Sequence, residues 1–354
     1  MLLRCAGLKK VTLKNGVQSI GERAFEKCSS LESVIFENTV LEKISDGAFS
    51  GCSALSSIVL PDSVTEIEKY AFFETGLRNI QLPEKLTLIG AYAFCNCKNL
   101  KQVQLPSQLK ELGNGAFSSC ENLAQIQLPA QLNKLGTDAF RNCTSLDKID
   151  IPAGLTQIEP DTFCNTGLTS VTLHEGLTKI EDGAFHDCLK LKKIRIPKSV
   201  TDIGGLALGI RYNRGNGAEE VIPGGFTVEG YTGSAAERYV KRLHQCENLY
   251  HVFFTDVKFV SIGGQTAAVT NISKTKISAL KTRAFTGKPL TQALTITYGG
   301  KKLVNGRDYT LTWKNNKNIG TASVTIKGKG KYNGSVTKNS GSRFRKTRSI
   351  QSAG

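Results

Sequence analysis

The sequence lacks any long apolar run, and its 354 residues include only one tryptophan, one methionine and four histidines. No stretch approaches the ~18 apolar residues that a membrane-spanning helix needs, so we expect no transmembrane segment. Met1 to Gly7 also lack the basic region and the apolar core of a signal peptide. The chain as written therefore predicts neither a membrane span nor an export signal.

Catalytic and metal-binding motifs are missing as well. The sequence contains no HExxH, GxSxG or P-loop motif, each of which places defined chemistry on a defined element. Its ten cysteines form no CxxC pair, the spacing that is typical of zinc sites. We therefore predict that the chain has no enzymatic activity, needs no cofactor and holds no metal ion.

Acidic residues are scarce in one part of the chain. Residues 1–210 hold 22 basic and 23 acidic side chains, whereas residues 211–354 hold 24 basic and 7 acidic ones. The formal net charge of +16 thus comes almost entirely from the second part. Because charge governs partners rather than fold, any anionic partner is expected there.

What the sequence does have is a repeat. Phenylalanine, usually after alanine, recurs along the first 190 residues with spacings of 22 to 24. Such a period is typical of repeats that stack into a solenoid, since one unit cannot bury its apolar residues alone. The recurring phenylalanines are Phe25, Phe49, Phe72, Phe94, Phe117, Phe140, Phe163 and Phe185.

Each unit suggests a strand, a turn and a helical stretch. Leu100, Val103 and Leu105 favour a short strand, and the following proline ends it because proline cannot donate to a sheet. Ile20, Ala24 and Cys28 are spaced by four residues, which would place them on one face of a short helix. Stacked strands of this kind form a parallel ladder.

The repeat resembles a known family. The run from Leu123 to Pro129, followed by Leu135 to Cys143, is similar to the BspA-like leucine-rich repeats of bacterial surface antigens. The resemblance covers residues 5–208 and implies an α/β solenoid, a right-handed leucine-rich-repeat coil with short strands and short helical turns. Because Met1 falls inside a repeat, we expect an N-terminal part with a cap and an export signal to be missing from this sequence.

The predicted domains follow from where the repeat signal fades. Residues 1–210 form the solenoid, and residues 211–255 form its C-terminal cap. Within the cap, Ser234 and Glu237 fit a capping box and predict a helix over 234–244. A strand is predicted over 249–254.

The last part of the chain predicts a small β-sandwich. Leu294–Tyr298, Tyr309–Trp313 and Ala322–Ile326 alternate apolar and polar residues, as half-buried strands do. Residues 256–338 are similar to the immunoglobulin-like modules of Gram-positive surface proteins, which implies an all-β sandwich, here basic and without its usual last strand. Residues 339–354 are predicted to be a disordered basic tail.

Cysteine or threonine occupies one position in most of the repeats. We predict that these side chains form a buried structural column with the phenylalanines, since threonine can replace a hydrogen-bonding thiol but not a metal ligand. Disulfides between neighbours stay open because spacing does not establish Cβ geometry. The cysteines are Cys28, Cys52, Cys97, Cys120, Cys143 and Cys188, with Thr75 and Thr166 in the shorter units.

One constellation near the end of the array admits a catalytic interpretation. Asp182, His186 and Cys188 lie close in sequence and could form a thiol protease site. We favour a structural role, because Cys188 belongs to the repeated column and the other repeats lack the histidine.

The outward side chains of the strand ladder are the candidate binding residues. They flank each buried Val or Ile and would face the concave side of the solenoid. Amides both donate and accept hydrogen bonds, so they suit peptide backbones or sugar hydroxyls. A solvated face with glutamines bonded to each other is the alternative. The predicted ligand-binding residues are Asn79, Gln81, Gln102, Gln104, Gln125, Gln127, Lys148, Asp150, Lys193 and Arg195.

The family resemblance implies a non-catalytic adhesion protein, secreted or attached to the cell surface, that binds host or bacterial surface proteins or glycans. An alternative is the recognition part of a larger surface enzyme whose catalytic domain lies outside this chain, and a third is a structural spacer. The basic C-terminal part has three interpretations: a solvated surface, a site for anionic cell-wall polymer, or a nucleic-acid site. The last is disfavoured because no aromatics are interleaved for base stacking.

Overall fold

The computed structural model describes residues 4–213, 215, 217–246, 254–262, 270–278, 294–314, 323–329 and 332–339. The chain divides into two compact units, Met1–Ile262 and Gly263–Gly354. In the described part of the chain, no helix combines the length and the apolar character that crossing a bilayer requires.

The first unit is a β-solenoid of short strands. Its strands are β1 (Lys10–Leu13), β2 (Ser33–Phe36), β3 (Lys43–Ile44), β4 (Glu66–Ile67), β5 (Leu88–Ile89), β6 (Gln102–Val103), β7 (Glu111–Leu112), β8 (Gln125–Ile126), β9 (Lys134–Leu135), β10 (Lys148–Asp150), β11 (Gln157–Ile158), β12 (Ser170–Thr172), β13 (Lys179–Ile180), β14 (Lys193–Arg195), β15 (Asp202–Ile203), β16 (Ile210–Asn213), β17 (Ala218–Val221), β18 (Phe226–Gly230) and β19 (Val257–Ser261).

The predicted parallel ladder runs along one side of the coils. It joins β1 to β2, β6 to β8, β10 to β12, and β14 to β18 and β19. Single bridges from Val59 to Gln81 and from Gln81 to Gln104 continue it between the longer strands. Val257–Ser261, which the sequence prediction placed in the C-terminal module, pairs here with Phe226–Gly230.

A second parallel ladder, which the sequence analysis did not predict, lies after the proline turn. It contains β3, β4, β5, β7 and β9 in one sheet and β11, β13 and β15 in another. Each of these strands is two residues long and buries its second residue, such as Leu112. From β3 to β15 the core is therefore enclosed by ladders on two sides of the coils.

The predicted helical turns are wrong, because the segment around each phenylalanine consists of tandem tight turns. The N–H groups of Ser118 and Cys120 bond to the carbonyls of Gly115 and Phe117, three residues back. Gly115 and Ser119 have φ angles of +59° and +58°, which an α-helix cannot contain. The α/β label therefore fits only in part, and the repeats are strands and turns.

These turns also bind the coils to each other. The N–H of Phe117 donates to the carbonyl of Ala139 in the next coil at 2.9 Å, and the N–H of Ser119 donates to that of Arg141 at 2.7 Å. Alternate amides thus bond within the turn and between coils. This pattern satisfies buried backbone groups without a helix.

The recurring phenylalanines form one continuous stack inside the solenoid. Successive ring centroids lie 5.2 to 5.8 Å apart with interplanar angles of 2 to 11°. None of the eight rings exceeds 5% exposure. Because each coil repeats the last with a shift along the ladder, the same rotamer recurs and the rings become parallel.

A glycine follows four of the eight second-ladder strands and permits a close approach of the coils there; these are Gly90, Gly113, Gly136 and Gly204. A Cβ built on Gly113 would meet the backbone nitrogen of Ala91 at 2.5 Å and the carbonyl carbon of Gly90 at 2.7 Å. Gly21 occupies the same repeat position in the first coil, where nothing lies within 4 Å. The crowding at Gly113 therefore comes from the preceding coil.

An α-helix closes the exposed edge of the second ladder. Helix α1 spans Ala235–Gln245 and is shifted by one residue toward the C-terminus from the predicted range of 234–244. Arg238 donates to the carbonyl of Thr201 at 2.9 Å, and Arg242 donates to that of Ile203 at 2.6 Å. The carbonyls at the edge of β15 thus accept hydrogen bonds from two arginine side chains instead of from the backbone of another coil.

The start of this helix differs from the predicted capping box. Ser234 is the N-cap residue, but its hydroxyl makes no capping hydrogen bond. Glu237 instead accepts the N–H of Gly233 at 2.5 Å. The helix is anchored further by buried Tyr239, whose hydroxyl donates to the carbonyl of Leu208 at 2.9 Å and accepts its N–H at 2.8 Å. The strand predicted over 249–254 lies, up to residue 253, outside the described residues.

The second unit is all β with one 3₁₀ turn at Ile272–Lys274. Its described sheets are two antiparallel three-stranded sheets, β21–β22–β23 and β24–β25–β27, and a parallel pair, β20 and β26. The strands are β20 (Thr270–Asn271), β21 (Lys276–Ile277), β22 (Ile296–Tyr298), β23 (Lys301–Lys302), β24 (Tyr309–Lys314), β25 (Ser323–Gly328), β26 (Tyr332–Asn333) and β27 (Ser335–Asn339).

Three of the predicted strands of this unit are present. Ile296, Val324 and Ile326 are fully buried and form its core with five other residues. Strand β27 ends at Asn339, where the disordered tail was predicted to begin, and residues 340–354 lie outside the described residues. The immunoglobulin-like identity of the unit stays a prediction.

Candidate functional site

Six amide side chains project from the first ladder, and we call them the glutamine face. They are Asn79, Gln81, Gln102, Gln104, Gln125 and Gln127, all of them exposed. In the ladder, Gln102 pairs with Gln125, so their side chains project side by side at about the 4.8 Å spacing of neighbouring strands. Val103 lies between Gln102 and Gln104 in sequence, and Ile126 lies between Gln125 and Gln127. Both are buried, and because side chains alternate along a strand, the flanking glutamines point outward.

The glutamine face lines a shallow groove of about 930 Å³. Lys148 and Asp150 extend the lining at one end, and Glu84 and Asp147 also line the groove, so it carries one basic and three acidic side chains. Lys193 and Arg195 are exposed on the same ladder but do not line this groove. The predicted binding residues thus form a main group of eight and a separate basic pair.

The amides of the glutamine face bond to no other described protein group. The hydrogen bonds of the described residues include none from the side chains of Gln102, Gln104, Gln125 or Gln127. The alternative interpretation required glutamines bonded to each other, which this geometry does not favour. Every donor and acceptor on the face is therefore available to water or to a ligand.

The predicted cysteines lie inside the coils, and five of the six donate to a phenylalanine carbonyl. Cys97, Cys120, Cys143 and Cys188 donate their Sγ–H to the phenylalanine carbonyl of the preceding coil at 3.1 Å, and Cys52 does so at 3.2 Å. The sulfurs of all ten cysteines are free thiols.

Threonine fills the same slot in the shorter units. Thr75 donates to the carbonyl of Phe72 at 3.0 Å, and Thr166 donates to that of Phe163 at 2.9 Å. Burial raises the pKa of Cys143 to about 12 because a thiolate is poorly solvated there. The cysteine and threonine side chains of this column are therefore packed in the core, and burial favours the protonated thiol.

The sequence analysis did not foresee a second polar cluster near the end of the array. Cys164, His186 and Asp187 have ligand-type atoms that all lie within 4.8 Å of one another. Cys164 and Cys188 occupy different repeat positions, and only Cys188 belongs to the interior column. The proposed triad of Asp182, His186 and Cys188 is therefore not the group that the structure brings together.

Repeat position could have revealed this cluster. Cys164 directly follows Phe163, and His186 directly follows Phe185, so the two occupy the same position in adjacent coils. Stacking makes such residues neighbours although they are 22 residues apart. Local spacing rules, which look for ligands within a few residues, do not detect this pattern.

His186 is held by carboxylates on two sides. Its Nε2 lies 2.7 Å from Glu219 Oε2, and its Nδ1 lies 3.4 Å from Asp187 Oδ2. Burial alone would lower the pKa of His186, but hydrogen bonds to Asp187, Cys164 and Glu219 outweigh it and raise the pKa to about 11. The two carboxylates therefore stabilise the charged form of the imidazole and hold the ring in one orientation.

Comparison with known proteins gives one family and several similar structures. The family described as "BspA type Leucine rich repeat region" matches residues 3–123 and 87–209, in six copies. No curated protein matches the chain.

Solved leucine-rich-repeat structures are similar at low identity. A leucine-rich cell surface protein from Faecalibacterium prausnitzii is 28% identical over 58% of this chain and 72% of that one, with a TM-score of 0.37. A leucine-rich repeat protein from Bacteroides ovatus is 26% identical over 73% and 85%, with a TM-score of 0.36. The leucine-rich repeat protein TpLRR of T. pallidum is 24% identical over 56% and 70%, with a TM-score of 0.33.

The family assignment agrees with the molecule itself. The matched residues span the phenylalanine stack, the thiol column and both ladders of the solenoid. The chain belongs to the BspA-type leucine-rich repeat family.

Proposed function

We propose that this chain is a non-catalytic binding protein, secreted or displayed at the cell surface, whose glutamine face recognises protein or glycan ligands. The observation that carries the proposal is the groove of exposed amides, which no group of the described residues occupies. The location rests on the surface-antigen character that the repeat resemblance implies. Adhesion to host or bacterial surfaces would follow from such binding.

The chemistry of the face limits the strength of each contact. Amides form neutral hydrogen bonds, which contribute about 0.5–1.5 kcal/mol each because water competes for both partners. The described residues that line the groove include no aromatic anchor, and the exposed apolar side chain beside the face is Val59, which is bridged to Gln81 and small for an anchor. Binding is therefore expected to be weak at one site and to gain strength when several chains act together.

The test is loss of binding when the amides are removed. The variant replaces Gln102, Gln104, Gln125 and Gln127 with Ala, and an array of glycans and extracellular-matrix proteins serves as the probe. We expect the wild type to bind a subset of the array and the variant to lose that binding.

A matched control keeps the coils and changes glutamines elsewhere. Gln108 and Gln131 are exposed in the same two coils but lie outside the groove. Their replacement with Ala should leave array binding unchanged. Equal binding by wild type and the four-glutamine variant would refute a role for this face.

The charge distribution supports a second binding site in the other unit. Because residues 263–354 carry 18 basic side chains and one acidic side chain, we propose that this basic unit also attracts anionic cell-wall polymer. The described strand β23 contributes Lys301 and Lys302, both exposed.

A further inference from the structure

The cluster at the end of the array has no part in the proposed recognition face. Cys164 is 3% exposed, His186 is half-buried, and both border a groove of about 590 Å³ that is distinct from the glutamine face. We infer that Cys164, His186 and Asp187 bind one Zn²⁺ ion.

The donor set matches the preferences of zinc. A thiolate sulfur, an imidazole nitrogen and a carboxylate oxygen are the three donor types that zinc takes in proteins. Calcium and magnesium prefer oxygen ligands alone, so a cysteine and a histidine together disfavour them. The group combines one donor of each zinc type around a single point.

The distances suit tetrahedral coordination. With bonds of about 2.0–2.1 Å, tetrahedral zinc places its nitrogen and oxygen ligands about 3.3 Å apart. Nδ1 of His186 and Oδ2 of Asp187 are already 3.4 Å apart. Because the three ligand atoms lie within 4.8 Å of one another, small side-chain rotations complete the site.

A surrounding set of hydrogen bonds orients two of the ligands. Glu219 lies 2.7 Å from Nε2 of His186, and Nδ1 lies on the side of Asp187. Zn²⁺ would take the place of the proton on Nδ1, while the hydrogen bond from Nε2 to Glu219 would fix the orientation of the ring. The other carboxylate oxygen of Asp187 accepts the N–H of Tyr212 at 2.8 Å. Both partners belong to the β16–β17 hairpin, so the ion would link this hairpin to the last coils.

The charges around the groove favour a cation. Asp161, Asp182 and Glu219 line it together with the proposed ligands. Arg141 is also present, but its guanidinium is paired with Asp161 at 3.1 Å and with Asp138 at 3.2 Å. These pairings offset its repulsion of a bound ion. Three protein ligands leave a fourth position for water from the groove.

The experiment measures metal binding by the full chain. It uses a Cys246→Ser background, because Cys246 is an exposed thiol that could bind metal by itself. Purified apoprotein is titrated with Zn²⁺ by calorimetry and with Co²⁺ by absorption, since a cobalt–thiolate bond gives a charge-transfer band. We expect one saturable site, a thiolate band with Co²⁺ and a higher Tm with Zn²⁺.

Variants assign the site to this cluster. Cys164→Ser should abolish the thiolate band, and Glu219→Gln should weaken Zn²⁺ binding by about 10- to 100-fold through the orientation of His186. Cys95→Ser is the matched control, because Cys95 occupies the same repeat position three coils earlier and is also buried. Circular dichroism verifies that each variant folds, and Asp187→Asn gives a second ligand variant if Cys164→Ser does not.

Three outcomes would overturn the inference. They are non-saturable binding that shows an adventitious ion only, a thiolate band that survives Cys164→Ser, and equal losses in Cys95→Ser and Cys164→Ser. None of these outcomes bears on the glutamine face, so the two proposals fail independently.

Discussion

At the residue scale, the interior of the solenoid was predictable from spacing alone. A residue that recurs every 22 to 24 positions must occupy one place in each coil, so Phe117 and Cys120 could be assigned to the core without knowledge of the fold. The hydrogen bond of the thiol was foreseen from its replacement by Thr75 and Thr166. Its acceptor, a phenylalanine carbonyl one coil back, was not predictable, because it depends on the turn geometry.

The buried thiols should resist modification in the folded protein. Burial raises the pKa of Cys52, Cys97 and Cys143 to about 12, so near pH 8 the reactive thiolate is almost absent, and its fraction grows only as the pH approaches that value. A thiol-reactive disulfide reagent should label exposed Cys246 rapidly and the column only after denaturant is added. Mass spectrometry of the labelled peptides provides the measurement.

The matched control for this labelling is Cys246→Ser. Its fast phase should be reduced to the reaction of half-buried Cys5. Rapid labelling of Cys143 without denaturant would contradict a closed interior.

At the scale of elements, the sequence pattern was ambiguous between a helix and tandem turns. Ile20, Ala24 and Cys28 are spaced by four residues, which matches both one helical face and tandem turns whose hydrogen bonds recur at every second residue. The discriminating signal lies just before the cysteines, where Asn96, Asn142 and other residues have positive φ angles. Asparagine, aspartate and glycine tolerate that conformation, and their recurrence there indicates turns.

Because the coils approach closely at some glycines and not at others, the loss of stability caused by a Gly→Ala substitution should depend on the position. Gly113→Ala should destabilise the first unit by about 1–3 kcal/mol, because the new Cβ would overlap the backbone of the preceding coil. Urea unfolding followed by circular dichroism measures the change.

Gly21→Ala is the matched substitution at the same repeat position. Since no atom lies within 4 Å of the place that the new Cβ would occupy, this substitution should change stability by less than about 0.5 kcal/mol. Equal effects of the two substitutions would show that the glycine serves the turn and not the coil spacing.

At the scale of the whole molecule, charge and repeat number were readable from the sequence, whereas contacts between distant coils were not. The glutamine face was predicted because its residues follow the strand alternation in each repeat. The group of Cys164, His186 and Glu219 was missed, because Glu219 lies in a hairpin outside the repeat pattern. A repeat predicts neighbours within the array, but it predicts nothing about the segments that fold back onto it.

The charge asymmetry predicts salt-sensitive retention on anionic cell-wall polymer. Between about 0.05 M and about 1 M salt, retention of the chain on purified wall polymer should fall steeply, because the screening length shortens to about 3 Å. Lys301→Gln with Lys302→Gln should lower the retention at low salt. Lys85→Gln with Lys110→Gln, in the balanced first unit, should not. Retention that does not depend on salt would argue against an electrostatic attraction.

The helix at the end of the second ladder has a consequence for self-assembly. A parallel β-ladder can in principle be extended without limit, because its edge strand has the same unpaired backbone carbonyls that each earlier strand used to bind the next. Here Arg238 and Arg242 occupy those acceptors, and their positive charge faces any incoming strand. A strand of a second molecule therefore finds no free carbonyl at these two positions, and the second ladder is closed to end-to-end association on this side.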